Sequence, residues 1–122
     1  MTPAEKRPKA ARLPPQVEAA MEAADSKQAL DIVVLDLGEA SGFTDYFVVC
    51  SGTSPRQIRA IADAVTEKLR EQNVRPAHIE GYQRSEWILL DYFDFIVHVF
   101  SKETRAFYAL ERLWGDADRV EL

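Results

Sequence analysis

The sequence predicts an α/β fold, a mixed β-sheet of about five strands with helices packed on its faces. Three observations carry that prediction. Two continuous apolar runs, at residues 31–37 and 46–50, read as strands covered on both sides. A capped amphipathic helix follows the second run. Two more apolar segments then flank a tight connection at Tyr92-Phe93, which reads as an antiparallel hairpin. The expected element order is α-β-β-α-β-β-β-α, with no internal repeat.

Each element has a local cause. Residues 1–14 are rich in Pro, Lys and Arg without periodicity and read as a disordered basic tail. A single domain is expected over residues 15–118, with residues 119–122 as a C-terminal tail. The first helix starts near Pro15 and aligns Val17, Ala20, Met21 and Ala24 on one face. Gly38, Ser41 and Gly42 mark a loop between the first two strands. Ser54, Pro55 and Gln57 form an S-x-x-Q capping box with proline at the first helical position. Ile58, Ile61, Val65 and Leu69 supply the buried stripe, and Asn73 with Arg75-Pro76 ends the helix. Short strands are expected at residues 78–80, 86–91 and 95–100. Ser101 then caps a last helix, whose apolar face is Phe107, Leu110 and Trp114 and which stops at Gly115. Phe107 and Trp114 are expected to fill the core.

Composition excludes several classes. The chain has 122 residues, 47% hydrophobic and 29% charged, ordinary values for one globular domain. Lys6, Arg7, Lys9 and Arg12 against Glu5 leave residues 1–12 at +3; with a total of −5, the remainder carries −8. An acidic body is repelled by phosphate backbones and attracted to basic surfaces. The basic tail allows at most incidental RNA contact. Cys50 is the one cysteine, so no intramolecular disulfide forms, and its apolar surroundings predict a buried thiol. No apolar run approaches the ~20 residues of a membrane span. No secretory signal is evident, and a cytoplasmic location is expected.

Candidate chemistry is sparse. Cys50, His98 and Asp45 are ingredients of an activated thiol, but their spacing does not bring them together. His98 lies in an alternating strand and reads as a hydrogen-bonded structural histidine, with Glu80 or Tyr108 as partner. His78 and His98 form no ligand pair, so no metal site is expected. The strand-turn-helix at Ser51-Gly52-Thr53-Ser54 has anion-binding form and resembles the nucleotidyltransferase superfamily, and the topology is expected to be nucleotidyltransferase-like. No paired carboxylates on a strand follow the turn. Asp91 and Asp94 have the wrong spacing to cradle magnesium, so the turn reads as a helix cap. A nucleotide-binding protein of that topology is the alternative reading, and a dimeric adaptor with another basic partner is a third.

The residues DYFVVCSGTSPRQ, the run AIAD, Glu80-Gly81 with Trp87, Asp91 and Asp94, the V-H-V-F segment around His98, and R-x-F-Y-x-L-E-x-L-W resemble the ribosomal silencing factors, also called Iojap-related proteins. The resemblance spans residues 15–118. It implies a protein without enzymatic activity or cofactor. Such a protein binds the large ribosomal subunit through its ribosomal protein number fourteen, blocks joining of the small subunit and represses translation. It also implies a homodimer when free. With the aromatic chemistry of the hairpin, the expected partner-binding residues are Trp87, Leu89, Tyr92 and Phe93 as anchors and Asp91 and Asp94 as charge partners. Arg105 and Tyr108 are expected to complete the patch. Relatives carry D-x-G-D at the turn. Asp91-Tyr92-Phe93-Asp94 replaces that glycine with phenylalanine, which predicts a different turn type.

Overall fold

The computed structural model describes residues 13–38 and 42–122. Residues 1–12 of the expected tail and residues 39–41 of the first loop lie outside them. The elements are α1 (Pro15–Ser26), β1 (Leu30–Asp36), β2 (Tyr46–Gly52), α2 (Pro55–Arg70), β3 (His78–Glu80), β4 (Trp87–Asp91), β5 (Phe95–Ser101), α3 (Lys102–Tyr108), α4 (Leu110–Leu113) and β6 (Asp118–Glu121). One six-stranded sheet has the order β3-β4-β5-β2-β1-β6. Among the described residues only β2 and β5 pair in parallel, and the other ladders are antiparallel.

Alternation along each strand divides the core into two layers. Ile32, Val34, Val48, Cys50, Ile88, Leu90, Val97 and Val99 face α1 and α2. Val17, Ala20 and Ala24 of α1 meet Ile58, Ile61, Val65 and Leu69 of α2 over that face, all essentially inaccessible to water. Val33, Leu35, Phe47, Val49, Ile96 and Phe100 point the other way. There α3 and α4 give a thinner cover, for neither buries a residue of its own fully. Leu110, Trp114 and Ala117 reach this second layer.

The cap of α2 is a variant of the expected box. Ser54 Oγ accepts the Gln57 N–H at 3.1 Å, as the motif requires. The Gln57 side chain turns elsewhere: its Oε1 accepts from Thr53 N–H, and its Nε2 donates to the carbonyls of Lys27 and Gln28. One glutamine thus ties the start of α2 to the end of α1.

Four expectations are corrected. Leu13, assigned to the tail, is buried in the helical layer. Residues 118–121 form a strand against β1 rather than a tail, making six strands instead of five. The last helix is broken at Ala109, which takes φ +49 between α3 and α4. Phe107, in α3 before the break, does not fill the core but stands largely exposed, while Leu110 and Trp114 beyond the break reach the second layer.

Candidate partner-binding surface

Alternation along β4 puts Trp87, Leu89 and Asp91 on the thinly covered face, with Ile88 and Leu90 buried beneath the helices. The register aligns Glu80 with Leu89 and His78 with Asp91 at the sheet edge. Trp87 packs between Phe100, at 4.9 Å between ring centres, and Tyr108 of α3, at 4.6 Å. Its indole N–H donates to Nδ1 of His98 at 3.0 Å. Tyr108 is 50% exposed and meets the edge of Phe107 at 5.0 Å. Trp87, Leu89, Phe107 and Tyr108 therefore form a continuous, partly uncovered apolar strip. Glu80 and Asp91 give its outer rim negative charge.

The hairpin tip divides its two aromatic residues. Phe93 is 73% exposed, whereas Tyr92 is 7% exposed and stacks on Phe95 at 4.9 Å. Tyr92 therefore cannot serve as the exposed anchor it was expected to be. It lies on the helical side of the sheet, and burial pushes its phenol up to about 12. Phe93 itself takes φ +72, the conformation a glycine would adopt. Asp91 Oδ1 accepts the Phe93 N–H at 2.9 Å, and Thr44 Oγ1 donates to the Phe93 carbonyl at 2.8 Å. These bonds hold the strained turn, so phenylalanine occupies the left-handed position rather than avoiding it. Asp94 is exposed, and its carbonyl accepts from the Asp45 N–H.

Arg105 is the second correction at this surface. Only 11% of its side chain is exposed, and its guanidinium points under the sheet end, not into the patch. It grips Glu111 with two bonds of 3.0 and 2.9 Å and also donates to Ser51 Oγ and the Asp31 carbonyl. The hydrogen bonds from Arg105 hold the Glu111 carboxyl below its ordinary range, against the opposing effect of burial. Asp31 sits at a bulge in β1 with φ +50. Arg105 is thus a clamp joining α3, α4, β1 and β2.

The alternative chemistries lack geometry. Cys50 faces the helical layer and His98 the opposite one, so the sheet separates them. Burial pushes the Cys50 thiol up to about 12, with Arg105 pulling weakly the other way. Among the described residues, no group of three or more His, Cys, Asp and Glu converges as metal ligands do. At the Ser51–Ser54 turn, Ser51 Oγ accepts from Arg105, Thr53 N–H is held by Gln57, and Ser54 Oγ caps α2. No helix among the described residues is long and apolar enough to cross a membrane.

Sequence reasoning missed two features. Phe43, in the loop after Gly42, is a second exposed ring beside Phe93. An aromatic residue next to a loop glycine was the available signal. His98 was given Glu80 or Tyr108 as partner, but its partner is Trp87. The hairpin register carries that signal, since Trp87 lies opposite Phe100 and Leu89 opposite His98, making Trp87 and His98 diagonal neighbours.

Comparison with known proteins agrees with this architecture. The family model described as "Ribosomal silencing factor during starvation" matches residues 10–122. The ribosomal silencing factor of Halalkalibacterium halodurans is 42% identical over 106 residues, which cover 87% of this chain and 91% of that protein. A mouse protein named for mitochondrial assembly of the ribosomal large subunit is 33% identical, over 72% of this chain and 40% of its own length. A crystal structure from Chromobacterium violaceum superposes with a TM-score of 0.80 at 35% identity, covering 82% of this chain and 83% of that one. A match that runs from before α1 through β6, with the sheet reproduced in a solved relative, means that the chain belongs to the ribosomal silencing factor family.

Proposed function

We propose that this silencing factor binds the large ribosomal subunit through its ribosomal protein number fourteen, blocks joining of the small subunit and so represses translation. The observation that carries the reading is the half-covered sheet face. Trp87, Leu89 and Tyr108 present apolar area there, with Phe93 at the tip and Asp91 and Asp94 as charge partners. Trp and Tyr dominate interface hot spots, and an acidic rim on an acidic body steers toward a basic protein. The mouse relative's name, which refers to the ribosomal large subunit, favours the same partner. Occlusion needs affinity and bulk but no bond-making, so the protein acts without catalysis or cofactor. It works in the cytoplasm and forms a homodimer when free.

Sedimentation with separated ribosomal subunits tests the reading. The protein should pellet with the large subunit alone and reduce the yield of joined ribosomes. Trp87→Ala should weaken pelleting by tenfold or more, roughly the effect of losing a hot-spot aromatic. Pelleting with the small subunit, or with neither, would overturn the proposal.

A further inference from the structure

His98 is a buried polar ring that no reaction uses. It is 3% exposed, midway along β5, between Leu89 of β4 and Val49 of β2. The indole nitrogen of Trp87 can only donate, so the Nδ1 that accepts from it carries no proton. The proton of the neutral ring therefore sits on Nε2. That Nε2 is buried and has no hydrogen-bond partner. Phe47 meets the imidazole edge-on at 4.5 Å, and Phe100 stacks at 5.9 Å. An imidazole left half satisfied among aromatic rings is a poor choice for packing alone. Phenylalanine would fill the same space without an orphaned N–H. What the histidine adds is its one acceptor.

That acceptor acts on Trp87. The contacts of the indole with Phe100 and Tyr108 are tilted, at 31° and 47° between planes. Packing of this kind discriminates weakly between the two broad settings of an aromatic ring about its second side-chain torsion. The bond to His98 is directional and admits one setting only.

We propose that His98 is a positioning residue for the partner-binding surface: its buried Nδ1 holds the Trp87 indole in a single orientation, presetting the edge shown beside Leu89 and Tyr108. The inference rests on Trp87 being a docking anchor. An anchor fixed before binding loses less freedom when the partner arrives.

The test uses the full chain, labelled with nitrogen-15. Two tryptophans give two indole N–H resonances, and Trp87→Phe assigns them. His98→Phe keeps a ring but removes the acceptor; His98→Asn returns an amide oxygen near the Nδ1 position. In His98→Phe the Trp87 indole proton should move upfield and large-subunit affinity should fall about tenfold, the scale of one hydrogen bond. His98→Asn should restore both toward the original. An unmoved indole resonance in His98→Phe overturns the proposal. So does a moved resonance with unchanged affinity while Trp87→Ala binds weakly. Full affinity in Trp87→Ala removes the anchor itself and the proposal with it, although the indole shift still reports the bond. Should His98→Phe not fold, His98→Asn is compared with His98→Gln, whose amide reaches toward Nε2 instead. Equal behaviour of those two variants overturns the idea.

Discussion

The two faces of the sheet solve different problems. Under α1 and α2 the packing is almost wholly apolar, the Tyr92 hydroxyl aside, with Leu69, Val65, Ile61 and Val48 shut away from water. Across the sheet, α3 and α4 bury no residue fully, and polar groups join the packing: the Trp87–His98 bond and the Arg105–Glu111 clamp. One face can therefore supply most of the stability while the other keeps apolar surface available. If the open face is the docking surface, stability and docking become separable by mutation, because β4 sends alternate residues to each face.

The largest effect should come from the sealed face. Leu69→Ala should cost about 2–5 kcal/mol in urea unfolding, from lost transfer energy plus the cavity left behind. The folded fraction should bind the large subunit with unchanged affinity. An affinity loss beyond the unfolded fraction would break the separation of the faces.

A smaller effect belongs to the open face and to acid. Burial pushes the His98 imidazole down to about 3 from its ordinary 6.5. Below about pH 6.5 the unfolded chain takes up a proton that the folded chain refuses. Stability is therefore complete above that value and falls as pH drops toward 3, by about 1.4 kcal/mol per pH unit for this group. Between about pH 6 and 5 ordinary carboxylates stay charged, so the slope there reports histidine. Urea midpoints should fall in that window for the original chain and stay flatter in His98→Phe. Equal slopes would assign the acid sensitivity elsewhere.

The smallest effect compares neighbours at the hairpin tip. Tyr92→Phe removes a hydroxyl that is buried without a partner, so stability should hold or rise by less than about 1 kcal/mol. Phe93→Ala, at an exposed site, should stay within about 0.5 kcal/mol. If Phe93 is an anchor, only its replacement should weaken large-subunit sedimentation. The opposite ranking would mean that the tip opens on binding.

What was legible in the sequence was local. Ser54-Pro55-Arg56-Gln57 and the stripe from Ile58 to Leu69 lie within a few turns of one another, so α2 was readable from end to end. The apolar runs of β1, β2 and β5 were readable for the same reason. What was not legible depended on distant partners. Residues 118–121 are mostly charged, and only pairing with β1 makes them a strand. Ala109 favours helices, yet tertiary packing sets it at φ +49. Arg105 reads as a free surface cation until the carbonyl of Asp31 and the hydroxyl of Ser51 come within its reach. At the candidate surface, aromatic content singles out Trp87 and Tyr108 and the hairpin adds Leu89, and the structure puts all three on the open face. Tyr92 was misplaced because a turn residue need not point to solvent.

The single parallel ladder also governs how the molecule comes to exist. β1 with β2 and β4 with β5 are pairs of sequence neighbours, whereas Tyr46 opposite Phe95 joins segments separated by α2, β3 and β4. Closing that long loop carries an entropic penalty before any contact repays it. The β4–β5 hairpin can form early as a local unit, but His98 meets Phe47 only after the ladder closes. A chain caught before closure shows water both sides of an apolar hairpin. The longer that closure takes, the longer the apolar hairpin would stay open to other chains.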